Sequence, residues 1–360
     1  MDKNVALVGA ARYNAGISLK MYNFFENSSI TPFLFSSERA TVDNYFHIPN
    51  VDLPVLRHIS RLFYVKKIRE KMRELNISSI HANYLTHYGF FASLLDIHPL
   101  VVSCSGTDVV SSNPLVRKIN SYVMKKADLL HSQSELYKNK MVDMGAEEDK
   151  IVVFPFGVDL EKFNLNVDGN EVREEFNIED KIVIGSYRIL GRNYNIDTII
   201  KTFYMLQKYH DNLSLLLVGP GSQRRYLEDL VNSLGLKNKV IFTGVLPYEK
   251  MPSYISACDI YVQLPDYDHY GLTAAEAMAC GKPVISSDTG SIREFMDDGY
   301  NGFILKNNAD LKEKLGYLID DENLRKSFAE RNFKTIKKRC DLEITKKRMV
   351  ELHGGKVFDT

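Results

Sequence analysis

The feature that most constrains this chain is a rhythm: short apolar runs alternate with longer amphipathic stretches along most of its length. That alternation is the sequence form of strands joined by helical crossovers, and so of parallel sheets covered by helices. The first half offers strands at Val5 to Val8, Thr31 to Phe35, Ser78 to Ala82, Leu100 to Cys104, Asp128 to His131 and Ile151 to Phe154. After Phe163 the polar stretch Asn164 to Asn170, with its Asp168-Gly169-Asn170 turn signal, interrupts the pattern and reads as a linker. The rhythm resumes with strands at Ile182 to Ser186, Ser214 to Val218, Val240 to Thr243, Asp259 to Gln263 and Pro283 to Ser286. It closes with a long charged helical region from Leu311 to about Leu352, broken near Cys340 and Asp341. A chain of 360 residues exceeds what one core usually organises. Two Rossmann-like, doubly wound α/β domains with a cleft between them are therefore expected.

Composition removes several function classes. A hydrophobic fraction of 44% and a charged fraction of 26% are ordinary for a globular chain. Lys+Arg and Asp+Glu both total 46, so no global field draws nucleic acid, which is not expected as a partner. Cys104, Cys258, Cys280 and Cys340 form neither a disulfide framework nor a metal-ligand spacing. A reduced, cytoplasmic protein fits that usage. The start of the chain reads as a first strand rather than a signal sequence, and no run approaches the length of a membrane span.

From Val240 the chain reads VIFTGVLPYEKMPSYISACDIYVQLPDYDHYGLTAAEAMACGKPVISSDTGSIREFMDDGYNGFIL. Gly271-Leu272-Thr273 opens a helix through Glu276, Ala277, Met278 and Ala279 to Gly281, with Pro283 as a stop. A helix start offers unpaired amides and a partial positive charge to a diphosphate, and Glu276, one turn in, can reach ribose hydroxyls. This segment resembles the donor-binding domain of the retaining family-four glycosyltransferases, which have the GT-B fold. Phe154-Pro155-Phe156-Gly157-Val158-Asp159, Ala127-Asp128 to Ser134, and Val218-Gly219-Pro220-Gly221 agree with it in order. The resemblance is strong from about residue 127 to 305.

The resemblance implies an acceptor-side domain over 1–164, a nucleotide-sugar domain over 165–335, and a helix over 336–360 returning toward the N-terminal domain. It implies a nucleotide diphosphate sugar as donor, a glycan or lipid-linked acceptor, and no cofactor or metal. Its two acidic positions fall on Asp268 and Glu276, the first being one methylene shorter than the usual Glu. Tyr270 stands where Phe is more usual, and Gly271, Leu272, Thr273, Val245, Leu246 and Gly221 join the donor-binding set. The phosphate-binding Arg is Arg188. The Lys expected five or six positions later is absent, since Asn193 and Tyr194 stand there. Arg192 either compensates, a guanidinium suiting phosphate, or is a surface cation. Asp266-Tyr267-Asp268 also fits the D-x-D pattern of metal-dependent transferases, although Asp268 already has a place in the longer motif.

In the N-terminal half, Gly9 and Asn14-Ala15-Gly16 lie where the family has a glycine-rich loop facing the diphosphate, and a plain βα turn explains them equally. Ser105-Gly106-Thr107-Asp108 matches a cleft segment that often begins with His. Ser105 replaces that His, leaving His81 and His87 as candidates for its contribution, each also readable as a packed or surface residue. The basic segment 57–73, with Arg57, Arg61, Lys66, Lys67, Arg69, Lys71 and Arg73 among apolar residues, suggests peripheral docking on an anionic membrane or an ordinary solvated helix.

The implied chemistry is sugar transfer with retention, attack coming from the leaving-group side and the enzyme stabilising charge on the diphosphate through Arg188 and the helix start. A nucleotide-sugar epimerase or phosphorylase, and a catalytically weak partner subunit, are the rival readings. A dinucleotide oxidoreductase is disfavoured, because Gly9 and Gly16 lack the G-x-G-x-x-G spacing.

Overall fold

The computed structural model describes residues 3–10, 17–48 and 64–355. The chain divides into two compact units, residues 1–156 with 343–360, and residues 157–342. The expected boundary at 164/165 therefore falls inside the second unit. The C-terminal helix Leu342–Leu352 groups with the first unit from Glu343 onward.

The first unit contains a seven-stranded sheet in the order β3-β2-β1-β4-β5-β6-β7. Its strands are β1 (Lys3–Val8), β2 (Ile30–Ser36), β3 (Tyr45–His47), β4 (Ile77–Asn83), β5 (Leu100–Ser103), β6 (Leu129–Ser132) and β7 (Ile151–Val153). Every pairing is parallel. Alternate residues of β4 separate the two faces. Ile80 and Ala82 join an apolar core with Ala6, Val102 and Leu130. Ser79, His81 and Asn83, equally buried, point the other way. The helix Val65–Glu74 packs Ile68 and Met72 into the apolar core.

The second unit has a six-stranded sheet, order β10-β9-β8-β11-β12-β13. The strands are β8 (Ile182–Tyr187), β9 (Leu213–Val218), β10 (Val240–Gly244), β11 (Ile260–Gln263), β12 (Val284–Ser287) and β13 (Gly302–Leu305), again all parallel. Two cores flank it, one around Tyr261, Ala274 and Phe295 and the other around Ile199, Phe203 and Leu215. β9 is buried along its whole length, as a central parallel strand must be. Chain order reverses between β1 and β4 in one sheet and between β8 and β11 in the other. Crevices at the carboxyl ends of such neighbours are where doubly wound sheets bind ligands. The long charged region is three helices, Leu311–Asp320, Glu322–Arg339 and Leu342–Leu352. The first break comes at Asp321, whose side chain caps the second helix by accepting from the Leu324 amide.

Candidate functional site

At the reversal point of the second sheet, β8 delivers Arg188 and β11 delivers the segment Leu264 to Asp268. Arg188 Nη2 lies 3.0 Å from Asp268 Oδ2, and both side chains are largely buried. Burial works against the Arg188 charge, but Asp268, Tyr261 and Tyr194 outweigh it, so the guanidinium holds its proton more tightly than usual. Tyr194 lies across it, with the ring centroid 4.6 Å from Cζ. The turn carrying Tyr194 is tied down by Asn195, in the left-handed conformation at φ 50°. The Asn195 side chain donates to the Leu264 carbonyl at 2.9 Å and to Asp266 Oδ1 at 2.6 Å, while the Asp266 amide donates to the Asn193 carbonyl. The position expected to carry a lysine thus carries an aromatic cover for Arg188. Arg192, beside it, is exposed.

These groups border a pocket of about 370 Å³ whose wall includes Arg188, Tyr194, Gly219, Val245, Leu246 and Thr273. The loop after β9 closes it from below by zipping onto residues 188–190. Arg188 donates its amide to Val218, Leu190 to Pro220, and Gln223 to Leu190. A Cβ on Gly221 would lie 2.2 Å from the Leu190 carbonyl oxygen. Close backbone approach accounts for Gly221.

Thr273 belongs to the helix Leu272–Ala279, whose small, strong helix formers let it bury Ala274 to Ala279 inside the unit while its first two residues stay partly exposed. Gly271 precedes it at φ 83°, a left-handed conformation in which a side chain would be strained. No side chain caps the first turn, so its amides are available to an anion. Glu276, one turn beyond Thr273 on the same face, is only 5% exposed. Its Oε1 accepts a 2.7 Å hydrogen bond from the Tyr248 hydroxyl. Tyr270 is a core residue, its ring 5.2 Å from that of Phe295 and its hydroxyl 3.0 Å from Cys340 Sγ. It supports the helix start from within and does not line the pocket.

Asp266 and Asp268 are each engaged with a protein donor, Asn195 and Arg188 respectively. Among the described residues no group of three His, Cys, Asp or Glu side chains is placed to hold a metal. The four cysteines are buried and free.

In the first unit the candidates divide. Gly16 lies outside the described residues, as do Arg57 and Arg61 of the basic segment. Asp108 is buried and inward-facing. It accepts from the Leu85 amide at 2.9 Å and the Ser105 amide at 3.2 Å, and burial raises its pKa. It ties the loop after β5 to the loop after β4. His81 is likewise buried inside the sheet face, hydrogen-bonded to His353 and Ser103, and cannot reach a ligand. Ser105 stays half-buried on its loop. His87, half-buried, stacks on Tyr84 at 5.5 Å, and the Tyr84 hydroxyl lies 3.0 Å from Thr107 Oγ1. Tyr84 has φ 85°, costly for a bulky residue, at the carboxyl end of β4. Neither Tyr84 nor Tyr248 was singled out from sequence, because each acquires its partner only through folding.

The helix Val65–Glu74 spends its apolar stripe, Ile68 and Met72, on the core, and Arg69 donates to the Leu94 carbonyl. Its described part offers a membrane charge but no apolar face. No described helix is long and apolar enough to cross a membrane.

Comparison with known proteins agrees with this architecture. The family model for glycosyl transferases group 1 matches residues 168–335, and that for a glycosyl transferase 4-like domain matches 37–157. An uncharacterised glycosyltransferase of Methanocaldococcus jannaschii is 30% identical over 222 residues, which span 59% of this chain and 55% of that protein. Another from the same organism is 27% identical across 91% of both chains. The crystal structure of Anabaena HepE in complex with UDP superposes with a TM-score of 0.81 at 19% identity, covering 97% of this chain and 99% of that one. With two parallel-sheet units and two adjoining family matches, the chain belongs to the group 1 glycosyltransferases of GT-B fold.

Proposed function

We infer that this chain is a retaining, metal-independent glycosyltransferase that moves a hexosyl or N-acetylhexosaminyl group from a UDP- or GDP-sugar to a glycan or glycolipid acceptor. One observation carries the reading: a buried guanidinium and an uncapped helix start border the same pocket at the reversal point of the second sheet. A diphosphate needs cationic and amide donors together, and charge grows on it as the sugar bond breaks. The UDP bound by Anabaena HepE, which has the same fold, supports a uridine nucleotide as one candidate donor. Arg188 and the amides of the Leu272–Ala279 helix then bind the diphosphate, Glu276 the ribose and Asp268 the transferred sugar. Metal independence is supported by the two D-x-D carboxylates being engaged by Arg188 and Asn195. Retention follows if the acceptor attacks from the leaving-group side and the departing phosphate takes its proton. The work is cytoplasmic, and contact with an anionic membrane rests on charge alone, through Lys66, Lys67 and Arg73.

The test is a panel of nucleotide sugars scored by thermal shift, followed by product analysis with and without chelator. UDP- or GDP-sugars should raise the melting temperature, since a ligand bound only by the folded state stabilises it. Transfer should survive chelation with the anomeric configuration kept. A chain that no nucleotide stabilises, or one whose transfer stops with chelator and returns with manganese, overturns the reading.

A further inference from the structure

Glu276 is an unusual group to find ready for a ligand. A carboxylate that is 5% exposed, set in a helix otherwise lined with alanine, has given up most of its water. Burial of that kind is tolerated only where donors replace the water. One donor is the Tyr248 hydroxyl, 2.7 Å from Oε1. Burial and the neighbouring carboxylate hold the Tyr248 hydroxyl far above the usual phenol range, so it stays a donor at any working pH. Tyr248 itself sits on the loop after β10, between Leu246 and Met251, two residues of the pocket wall. Its ring is braced by Phe163, with centroids 5.7 Å apart. The hydroxyl therefore approaches Glu276 from the pocket's own rim, on the strand-end loop facing the helix.

We propose that Tyr248 is a positioning residue that orients the Glu276 carboxylate toward the ribose of the nucleotide and thereby sets the preference for ribose over deoxyribose. This rests on the reading of Glu276 given above. A carboxylate has about four acceptor sites, and a donor fixed at one oxygen selects a single side-chain rotamer and aims the remaining sites in one direction. Two adjacent ribose hydroxyls need such a fixed pair of acceptors. A deoxyribose presents only one hydroxyl and gains little from it. A carboxylate free to rotate would bind both sugars with more nearly equal affinity.

Calorimetric titration with UDP and 2′-deoxy-UDP, and in parallel with GDP and 2′-deoxy-GDP, tests this on wild type, Tyr248→Phe and Tyr248→Ala. The ratio of the two affinities is the readout, because a general loosening of the loop weakens both ligands alike and leaves the ratio in place. Wild type should prefer the ribonucleotide by on the order of 10-fold or more, the scale of hydrogen bonds to a charged group. Tyr248→Phe, which keeps the ring on Phe163 and removes only the hydroxyl, should lose most of that preference, and Tyr248→Ala should lose it too. A Tyr248→Phe variant with the wild-type ratio overturns the proposal while leaving Glu276 in the site. Wild type that binds both sugars equally overturns the ribose role of Glu276 and this proposal with it. Failure of wild type to bind either nucleotide overturns the donor reading as a whole.

Discussion

Arg188 is held by two dissimilar neighbours, a carboxylate at 3.0 Å and an aromatic face at 4.6 Å. The first uses one edge of the guanidinium and the second fixes its plane, so the remaining N–H groups have a set direction. Planarity is what a lysine lacks. Arg188→Lys should therefore retain the charge yet lose about 10-fold or more in kcat/KM, and Arg188→Ala about 10- to 100-fold, at the scale of charge-assisted hydrogen bonds. Arg192→Ala, altering an exposed side chain, should match a control at another exposed residue, Lys208→Ala, in the turn after the helix Ile196–Leu206. Donor kinetics at saturating acceptor decide the matter. Normal turnover by Arg188→Ala would remove this loop from the phosphate site, and impairment of Arg192→Ala would restore the second cation. At this scale the sequence supplies positions rather than contacts. Arg188, Asp268 and Glu276 are picked out by the family resemblance, Glu276 also by its place one turn into the helix. The Arg188–Asp268 pair and the Tyr248 donor join residues far apart in the chain, and nothing local announces them; the Tyr194 cover lies only six residues from Arg188, but the turn that folds it over the guanidinium is not visible in the sequence.

A polar thread runs through the first sheet on the face opposite its apolar core. Ser79 and His81 on β4, Ser103 on β5, His131 on β6 and His353 beyond the C-terminal helix form one chain of hydrogen bonds, 2.6 to 2.9 Å each, ending on the Phe154 carbonyl. That carbonyl can only accept, so His131 donates from Nε2 and accepts from Ser103 at Nδ1. Ser103 in turn accepts from His81 Nε2, His81 Nδ1 accepts from His353 Nε2, and His353 Nδ1 accepts from Ser79. All three imidazoles are neutral, and an added proton would set two donors against each other. Burial is the main cause that lowers each pKa, to about 4 for His131 and about 3 for His353, with His81 well below its ordinary value. Arg348 adds to the effect at His131 and Lys3 at His353. Folded values below the unfolded 6.5 mean that the unfolded chain binds more protons at mildly acid pH. Stability is thus full above about pH 6.5 and falls as pH drops toward 4, by up to about 1.4 kcal/mol per pH unit for each histidine. Denaturant melts at pH 7, 6 and 5 should reveal this, and His353→Ala should flatten the slope while lowering stability at pH 7. A slope unaffected by His353→Ala would mean that other groups carry it. Most strands and helices of both sheets are legible from periodicity alone. β3 (Tyr45–His47) and β13 (Gly302–Leu305) are not: each is an edge strand paired on one side only, with β2 and β12 respectively, and owes its place to that neighbour.

On the scale of the whole molecule, the chain leaves its first unit at Phe156 and rejoins it at Glu343. No local signal marks that return, because the helix Leu342–Leu352 is as charged as the two before it. Its contribution shows only in burial. Met349 and Val350 are fully covered, Thr345 donates to the Pro155 carbonyl, and Lys3 reaches the His353 carbonyl. Ending the chain at Leu342 would strip two large apolar side chains, each contributing about 1.5 to 3 kcal/mol on burial. It would also leave His81 and Ser79 buried or hydrated without their partner, at about 1 to 3 kcal/mol each. Such losses match the whole stability of an ordinary domain, about 5 to 15 kcal/mol. Both cores of the second unit lie within residues 157–342, and the backbone bonds between Val158 and Cys340 and Leu342 survive the cut. The truncated chain should therefore lose hydrogen-exchange protection in β4, β5 and β6 while keeping it in β8, β9 and β11, and should still be stabilised by nucleotide while making no product. Equal protection in both sheets after truncation would mean that the first unit does not depend on its returning helix. Loss in both would mean that the two units unfold as one.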